Sequence, residues 1–91
     1  MTFGKRLREL REEMGLAQRQ IGAEIEVDGA FISKVENGEK RINRKHFTKL
    51  AELLNVQIEE LETLWFADKV FQIVKDEKAA KKVIKEVEKR I

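Results

Sequence analysis

The sequence has 91 residues, enough for one small domain, and its composition excludes several classes of protein before any motif is considered. The absence of cysteine excludes disulfides, iron–sulfur clusters and thiolate zinc sites, and apolar runs of three or four residues are too short to cross a membrane. The net charge of +2 identifies no partner, but residues 33–49 hold six basic and two acidic residues, so the positive charge is local. With no proline and 40% charged residues, the composition favours an all-α fold. From the absence of cysteine and of a membrane-spanning run we expect a cytoplasmic protein.

The spacing of apolar residues predicts two helices in the first quarter of the chain. The first begins after Thr2, an N-cap residue, and ends at Gly15. Its apolar face consists of Phe3, Leu7, Leu10 and Met14. The second helix covers about residues 17–24 and contains Gly22, at a point where a side chain would obstruct a neighbouring helix.

A third short helix is predicted after a turn at residues 26–27. Asp28 is in the position of an N-cap that accepts hydrogen bonds from the free N–H groups of the first turn. Asn37-Gly38 forms the C-terminus, because both residue types tolerate the left-handed conformation found there. The first turn of this helix contains only the small residues Gly29 and Ala30, where longer side chains would be expected on a binding surface.

Three further helices are predicted in the second half of the chain. Asn43 caps the fourth helix, which ends at Asn55, and a fifth helix covers about residues 57–75. The fifth helix has more apolar surface than one side of a small domain needs. Asp76 is expected to cap the sixth helix, whose apolar residues are Ala79, Ala80, Val83, Ile84, Val87 and Ile91.

Two short helices joined by a turn of three or four residues are the arrangement that places the second helix in the major groove of DNA. Three stretches carry it here: QRQIG at 18–22, VD at 27–28 and ISKVENG at 32–38. With their flanking helices they resemble the helix-turn-helix of the phage repressor and Cro family, also called the xenobiotic-response-element family. The resemblance covers roughly residues 3–56. It implies a five-helix lambda-repressor-like fold with a C-terminal helical extension. We assign residues 1–56 to the helix-turn-helix DNA-binding domain and residues 57–91 to C-terminal helices that are expected to dimerise.

The resemblance also implies roles for individual residues. Gln18 is at the family position that contacts phosphate and braces the recognition helix, which here is the third helix. Glu36 is at the position that pairs with a basic residue of the first helix, here Arg11. The segment 40–44 corresponds to the loop and helix start that follow the DNA backbone. The residues expected to contact DNA are Gln18, Asp28, Gly29, Ala30, Ser33, Lys34, Asn37, Lys40, Arg41, Asn43 and Arg44.

Three features depart from the family pattern. Glu26 is in the turn where members commonly have glycine, and a non-glycine residue in the left-handed conformation costs about 1 kcal/mol. Many members have alanine in place of Gly22, so glycine lowers helix propensity by up to about 1 kcal/mol while permitting closer packing. Gly29 and Ala30 occupy the positions where relatives often have glutamine, serine, arginine or asparagine to touch base edges.

For the first turn of the third helix we expect a close approach to DNA. Small residues would let the free N–H groups of the helix N-terminus meet phosphate or base acceptors, and Ala30 could contact a thymine methyl group. Ser33 and Lys34 would then be the main side chains for hydrogen bonds to bases. The alternative is that Gly29 and Ala30 merely begin the helix and that Ser33 and Lys34 are solvated.

The surplus of apolar residues after residue 57 predicts a homodimer. Its expected interface consists of Leu61, Leu64, Trp65, Phe71 and Val74. Two-fold symmetry would place two recognition helices in successive major grooves about 34 Å apart, on an inverted-repeat operator in double-stranded DNA. We therefore expect a homodimeric repressor of transcription, and the short chain favours control of its own promoter by concentration alone.

Other functions are less well supported by the residues present. No nucleophile–base pair or glycine-rich phosphate loop is apparent, so we expect no enzymatic activity. His46 is the single histidine, so no metal site is expected, and no cofactor, small-molecule effector or membrane partner is indicated. The alternative function is an antitoxin-like or anti-repressor module that binds protein through its fifth helix. The basic loop at residues 40–45 discriminates between the two, because a purely protein interface does not require it.

Overall fold

Six α-helices and no strands make up the computed structural model, which describes residues 1–91. The helices are α1 (Phe3–Glu13), α2 (Gln18–Glu24), α3 (Gly29–Glu36), α4 (Phe47–Leu54), α5 (Ile58–Val74) and α6 (Ala80–Arg90). A single 3₁₀ turn, Arg44–His46, precedes α4. The all-α fold expected from the composition is confirmed.

The helix ends follow from capping residues that are visible in the sequence. The Thr2 hydroxyl accepts a hydrogen bond from the Lys5 amide at 3.2 Å, which fixes the start of α1. Gly15, Gly38 and Asn55 have φ angles of 68°, 81° and 56°, the left-handed conformation that ends helices. The predicted ends of the first, third and fourth helices are therefore confirmed.

Two predicted helix starts need correction. The side chain of Asn43 accepts a hydrogen bond from the Lys45 amide at 3.0 Å, but it caps the 3₁₀ turn, and α4 begins later, at Phe47. Asp76 does not cap α6, which begins at Ala80 without a side-chain cap. The backbone turns twice between α5 and α6 instead, because the Glu77 amide donates a hydrogen bond to the Val74 carbonyl and the Ala80 amide donates to the Glu77 carbonyl.

The hydrophobic core joins α1 to α4 with the first half of α5. Its thirteen members are Phe3, Leu7, Leu10, Ile21, Ile25, Ile32, Val35, Ile42, Phe47, Leu50, Ala51, Leu54 and Leu61. Each fully buried large side chain contributes roughly 1.5–3 kcal/mol relative to exposure. The core continues past residue 56 through Leu61, which is 1% exposed. The expectation that Leu61 lies at a dimer interface is corrected accordingly, since its side chain is enclosed within one chain.

The turn between α2 and α3 is tight because of one glycine and one strained residue. A methyl group added at Gly22 would collide with the Val27 carbonyl oxygen, so glycine allows the turn to fold back on α2. The obstruction expected at this position is therefore against the turn itself rather than a neighbouring helix. Glu26 has a φ of 61°, so the turn keeps the left-handed bend and tolerates a strain of about 1 kcal/mol.

The C-terminal half of α5 and all of α6 project apolar side chains into solvent. Trp65 is half-buried because its ring packs edge-on against Phe47, with centroids 5.8 Å apart. Leu64 also packs against the core, and Val74 is half-buried. Phe71, in contrast, is 59% exposed, and no residue of α6 is buried. The expected interface residues thus divide into some that support their own domain and some that are free to meet a partner.

Candidate nucleic-acid interface

α3 presents a stripe of exposed side chains to solvent along its length. Ile32 and Val35 lie in the core, which fixes the rotation of the helix about its axis. Ala30, Lys34 and Asn37 follow one another at spacings of four and three residues and are all exposed. This stripe is the surface that α3 can insert into a groove.

The start of α3 leaves two backbone donors free. The Asp28 carboxylate accepts a hydrogen bond from the Phe31 amide at 2.7 Å, so the predicted cap is confirmed. The amides of Gly29 and Ala30 have no hydrogen-bond partner in the chain. With the helix dipole behind them, these two N–H groups form a site that favours a negatively charged or carbonyl acceptor.

Gly29 faces α2 rather than the exposed stripe. A methyl group added there would lie 3.2 Å from the Arg19 amide nitrogen and 3.5 Å from its Cβ, so the glycine allows α3 to begin close against α2. This packing gives a reason for the glycine other than the close approach to DNA expected from the sequence. Ser33, one turn later on the same side, is half-buried, whereas Lys34 is exposed. Lys34 is therefore the more accessible of the two side chains.

A network around Glu36 connects α3 to both preceding helices. The Glu36 carboxylate, 2% exposed, accepts hydrogen bonds from Arg11 Nε at 2.7 Å and Nη2 at 3.0 Å. Gln18 Nε2 donates to the same carboxylate at 3.1 Å. The pairing of Glu36 with Arg11 and the bracing by Gln18, both expected from the family resemblance, are present.

Arg11 keeps its positive charge in this network. The hydrogen bonds to Glu36 raise the pKa of Arg11 above its usual value, and they outweigh the opposing effect of burial. Arg11 therefore stays charged, and the Arg11–Glu36 pair holds the C-terminal end of α3 at a fixed distance from α1.

The basic loop divides into two groups of side chains. Lys40 and Asn43 are exposed, and neither Lys40 nor the Asn43 side chain is held by another helix. Arg41 instead lies on Trp65, with Cζ 4.1 Å from the ring centroid, and donates to the Trp65 carbonyl at 2.8 Å. Arg44 lies 4.7 Å from the Phe66 ring centroid and pairs with Glu62 at 3.4 Å. No pattern in the sequence indicated these contacts with α5.

Arg19 is a basic residue that the sequence analysis did not single out. It is exposed, it takes part in none of the salt bridges, and its backbone borders the first turn of α3 at Gly29. The signal available in the sequence was the position of this arginine directly after Gln18, at the start of α2. It adds a positive charge beside the small first turn of α3.

Two other kinds of site receive no support. No three His, Cys, Asp or Glu side chains are grouped so that they could hold a metal ion. The helices are also too short or too polar for any of them to span a membrane.

The fold and this surface together define a helix-turn-helix DNA-binding protein. α2 and α3 are joined by a four-residue turn, α1 braces α3 through a buried ion pair, and α3 presents an exposed stripe with a basic loop beyond it. Sequence comparison agrees, since a family model described as helix-turn-helix matches residues 7–61. The chain therefore belongs to the Cro/C1-type helix-turn-helix family.

Two curated proteins illustrate the relationship. Control protein C.MunI from a Mycoplasma species is 32% identical over 62 residues, which are 67% of this chain and 84% of that protein. The HTH-type transcriptional repressor RghR from Bacillus subtilis (strain 168) is 39% identical over 61 residues, which are 66% of this chain and 45% of the repressor. No solved structure gives a significant match. The protein is thus a DNA-binding transcriptional regulator.

Proposed function

We propose that this regulator is a homodimeric repressor that binds an inverted-repeat operator, with its own promoter among its targets. The observation that carries the proposal is the exposed stripe of Ala30, Lys34 and Asn37 on a helix whose position is fixed by the buried Arg11–Glu36 pair. A rigidly held helix loses little freedom when it enters the major groove, which favours binding.

Base recognition is assigned to the exposed stripe. Lys34 suits the O6 and N7 acceptors of guanine, and Ala30 suits a thymine methyl group. The free amides of Gly29 and Ala30 would donate to a phosphate or a base edge at the start of the helix. Ser33 lies on the side of α3 that faces α2, and its single hydroxyl would give only a weak preference among bases.

Contacts to phosphates are assigned to the borders of the stripe. Lys40 and Asn43 lie beyond the C-terminal end of α3, and Gln18 and Arg19 lie at the start of α2. Arg41 and Arg44 keep exposed N–H groups even while they rest on α5, since each guanidinium has five donors. Such contacts position the protein on the duplex without specifying sequence.

Assembly is assigned to the apolar surface of α5 and α6, with a second copy of this chain as its occupant. The exposed residues of this surface are Phe66, Val70, Phe71, Ile73, Val83, Ile84 and Val87. A monomer rarely exposes so many large apolar side chains together. A two-fold axis through this surface would present two copies of α3 to one face of the duplex, which is the geometry that an inverted repeat requires.

Selection of bound duplexes from a random pool tests the proposal. We expect the recovered sequences to contain two inverted half-sites whose centres are about 34 Å apart. Recovery of single half-sites without symmetry would exclude the homodimer on DNA, and a pool with no enriched sequence would favour the protein-interaction module. A reporter fused to the chain's own promoter, with and without the protein, tests autoregulation separately.

A further inference from the structure

Trp65 connects the core of the domain to the basic loop. Its ring packs on Phe47 in the core, and its Nε1 donates a hydrogen bond to the Ile42 carbonyl at 2.9 Å. The guanidinium of Arg41 covers the ring, 4.1 Å from the centroid, and donates to the Trp65 carbonyl at 2.8 Å. One side chain of α5 therefore holds two consecutive residues of the loop.

The loop has few other restraints at this point. The amides of Glu39 and Lys40 bond to the Lys34 carbonyl, but no backbone hydrogen bond is donated by residues 41, 42 or 43. The buried side chain of Ile42 fixes the depth of the loop in the domain. The orientation of its peptide groups depends on the hydrogen bond from the indole, because nothing else in the chain accepts from or donates to that segment's backbone before Asn43.

We propose that Trp65 is the positioning residue for DNA-backbone binding by the loop, because its indole orients residues 41–43 and thereby sets Arg41 and Asn43 for phosphates. The inference rests on the proposed function, in which this loop follows the DNA backbone. The stacked Arg41 keeps further N–H groups in solvent, so a phosphate can accept from a guanidinium whose position is already fixed. Prior fixing of a long side chain lowers the entropy lost on binding.

Trp65→Phe is the direct test, because phenylalanine keeps an aromatic ring against Phe47 but lacks the indole donor. We expect affinity for operator and scrambled duplexes to fall together by about fivefold, the equivalent of one hydrogen bond. The slope of log affinity against log salt should become shallower by about one unit if one phosphate contact is lost. Fluorescence anisotropy of labelled duplexes at several salt concentrations measures both.

Leu53→Ala serves as the matched control for stability. Leu53 packs partly against the core from α4, and the hydrogen bonds and aromatic contacts that hold the loop do not involve its side chain, so we expect its truncation to destabilise the domain while keeping those contacts. We expect Leu53→Ala to leave the salt slope unchanged at a temperature where both variants are folded. A folded Trp65→Phe protein with wild-type affinity and slope, or with the same losses as Leu53→Ala, would overturn the inference.

The wild-type protein offers a second test that needs no substitution. Trp65 is the sole tryptophan, so the emission of the whole chain reports on this contact. A phosphate bound beside the stacked Arg41 should shift the emission maximum, and the shift should saturate at the same DNA concentration as the anisotropy. Binding seen by anisotropy with an unaltered emission would overturn this inference alone. Failure of the wild type to bind any duplex would overturn the proposed function as well.

Discussion

At the scale of single residues, Gly22 shows how a substitution that favours the helix can weaken the fold. Alanine has the higher helix propensity by about 1 kcal/mol, but its methyl group would collide with the Val27 carbonyl in the turn. We expect Gly22→Ala to lower the free energy of unfolding by about 1–3 kcal/mol, as overpacking against backbone does. Urea denaturation measures the change. Gly29→Ala is the matched comparison, since its nearest neighbour would be at 3.2 Å, and it should cost clearly less.

The buried Arg11–Glu36 pair gives a second prediction at this scale. Arg11→Met would leave the Glu36 carboxylate buried with only Gln18 as a donor, at a cost of about 3–5 kcal/mol. The double variant Arg11→Met/Glu36→Leu replaces the pair with apolar side chains and should recover most of that loss. Thermal unfolding followed by circular dichroism compares the two proteins. A double variant as unstable as the single one would show that the loss comes from the hydrogen bond of Arg11 Nη1 to the Leu16 carbonyl, 2.8 Å long, rather than from the unpaired charge of Glu36.

At the scale of elements, the sequence predicted where helices begin and end better than it predicted which elements pack against one another. Thr2, Gly15, Asp28 and Asn55 mark helix ends through local hydrogen bonds or left-handed φ angles, which depend on residues close in the chain. Gly29 packs against α2, and the loop arginines lie on α5, through contacts between different elements. The periodicity of apolar residues along the chain carries no information about such contacts. The Glu36 network was predictable only through the family resemblance.

The division of labour between α3 and the loop is testable with two lysines. Lys40→Ala should weaken operator and scrambled duplexes alike and reduce the salt slope by about one unit, because it removes a proposed phosphate contact. Lys34→Ala should mainly reduce the ratio of the two affinities, by about 1–3 kcal/mol if a bidentate contact with guanine is lost. Lys5→Ala on α1 removes the same charge outside the proposed interface and is the control. If anisotropy titrations show that Lys40→Ala weakens DNA binding no more than Lys5→Ala does, the loop is not part of the DNA interface.

At the scale of the whole molecule, two aromatic residues of α5 separate assembly from folding. Phe71 is 59% exposed, so Phe71→Glu should leave the domain folded but dissociate the proposed dimer, because a carboxylate is costly to bury in an apolar interface. Trp65→Glu should instead unfold the chain, since Trp65 packs on Phe47 and bonds to Ile42. Sedimentation at micromolar concentration, with circular dichroism on the same samples, distinguishes the outcomes. A wild type that sediments as a monomer would contradict the proposed assembly.

The lack of buried residues in α6 has a consequence for the lifetime of the protein in the cell. A helix of 11 residues is only marginally stable in water by itself, so in the proposed dimer most of its stability comes from the partner. Below the concentration at which dimers form, α6 would unravel and expose residues 75–91 to proteases. Protomers would then be degraded faster than dimers, and dilution by cell growth would accelerate the removal of the regulator. In the proposed complex no residue of α6 touches DNA, yet a repressor built in this way would release its operator over a narrow range of concentration.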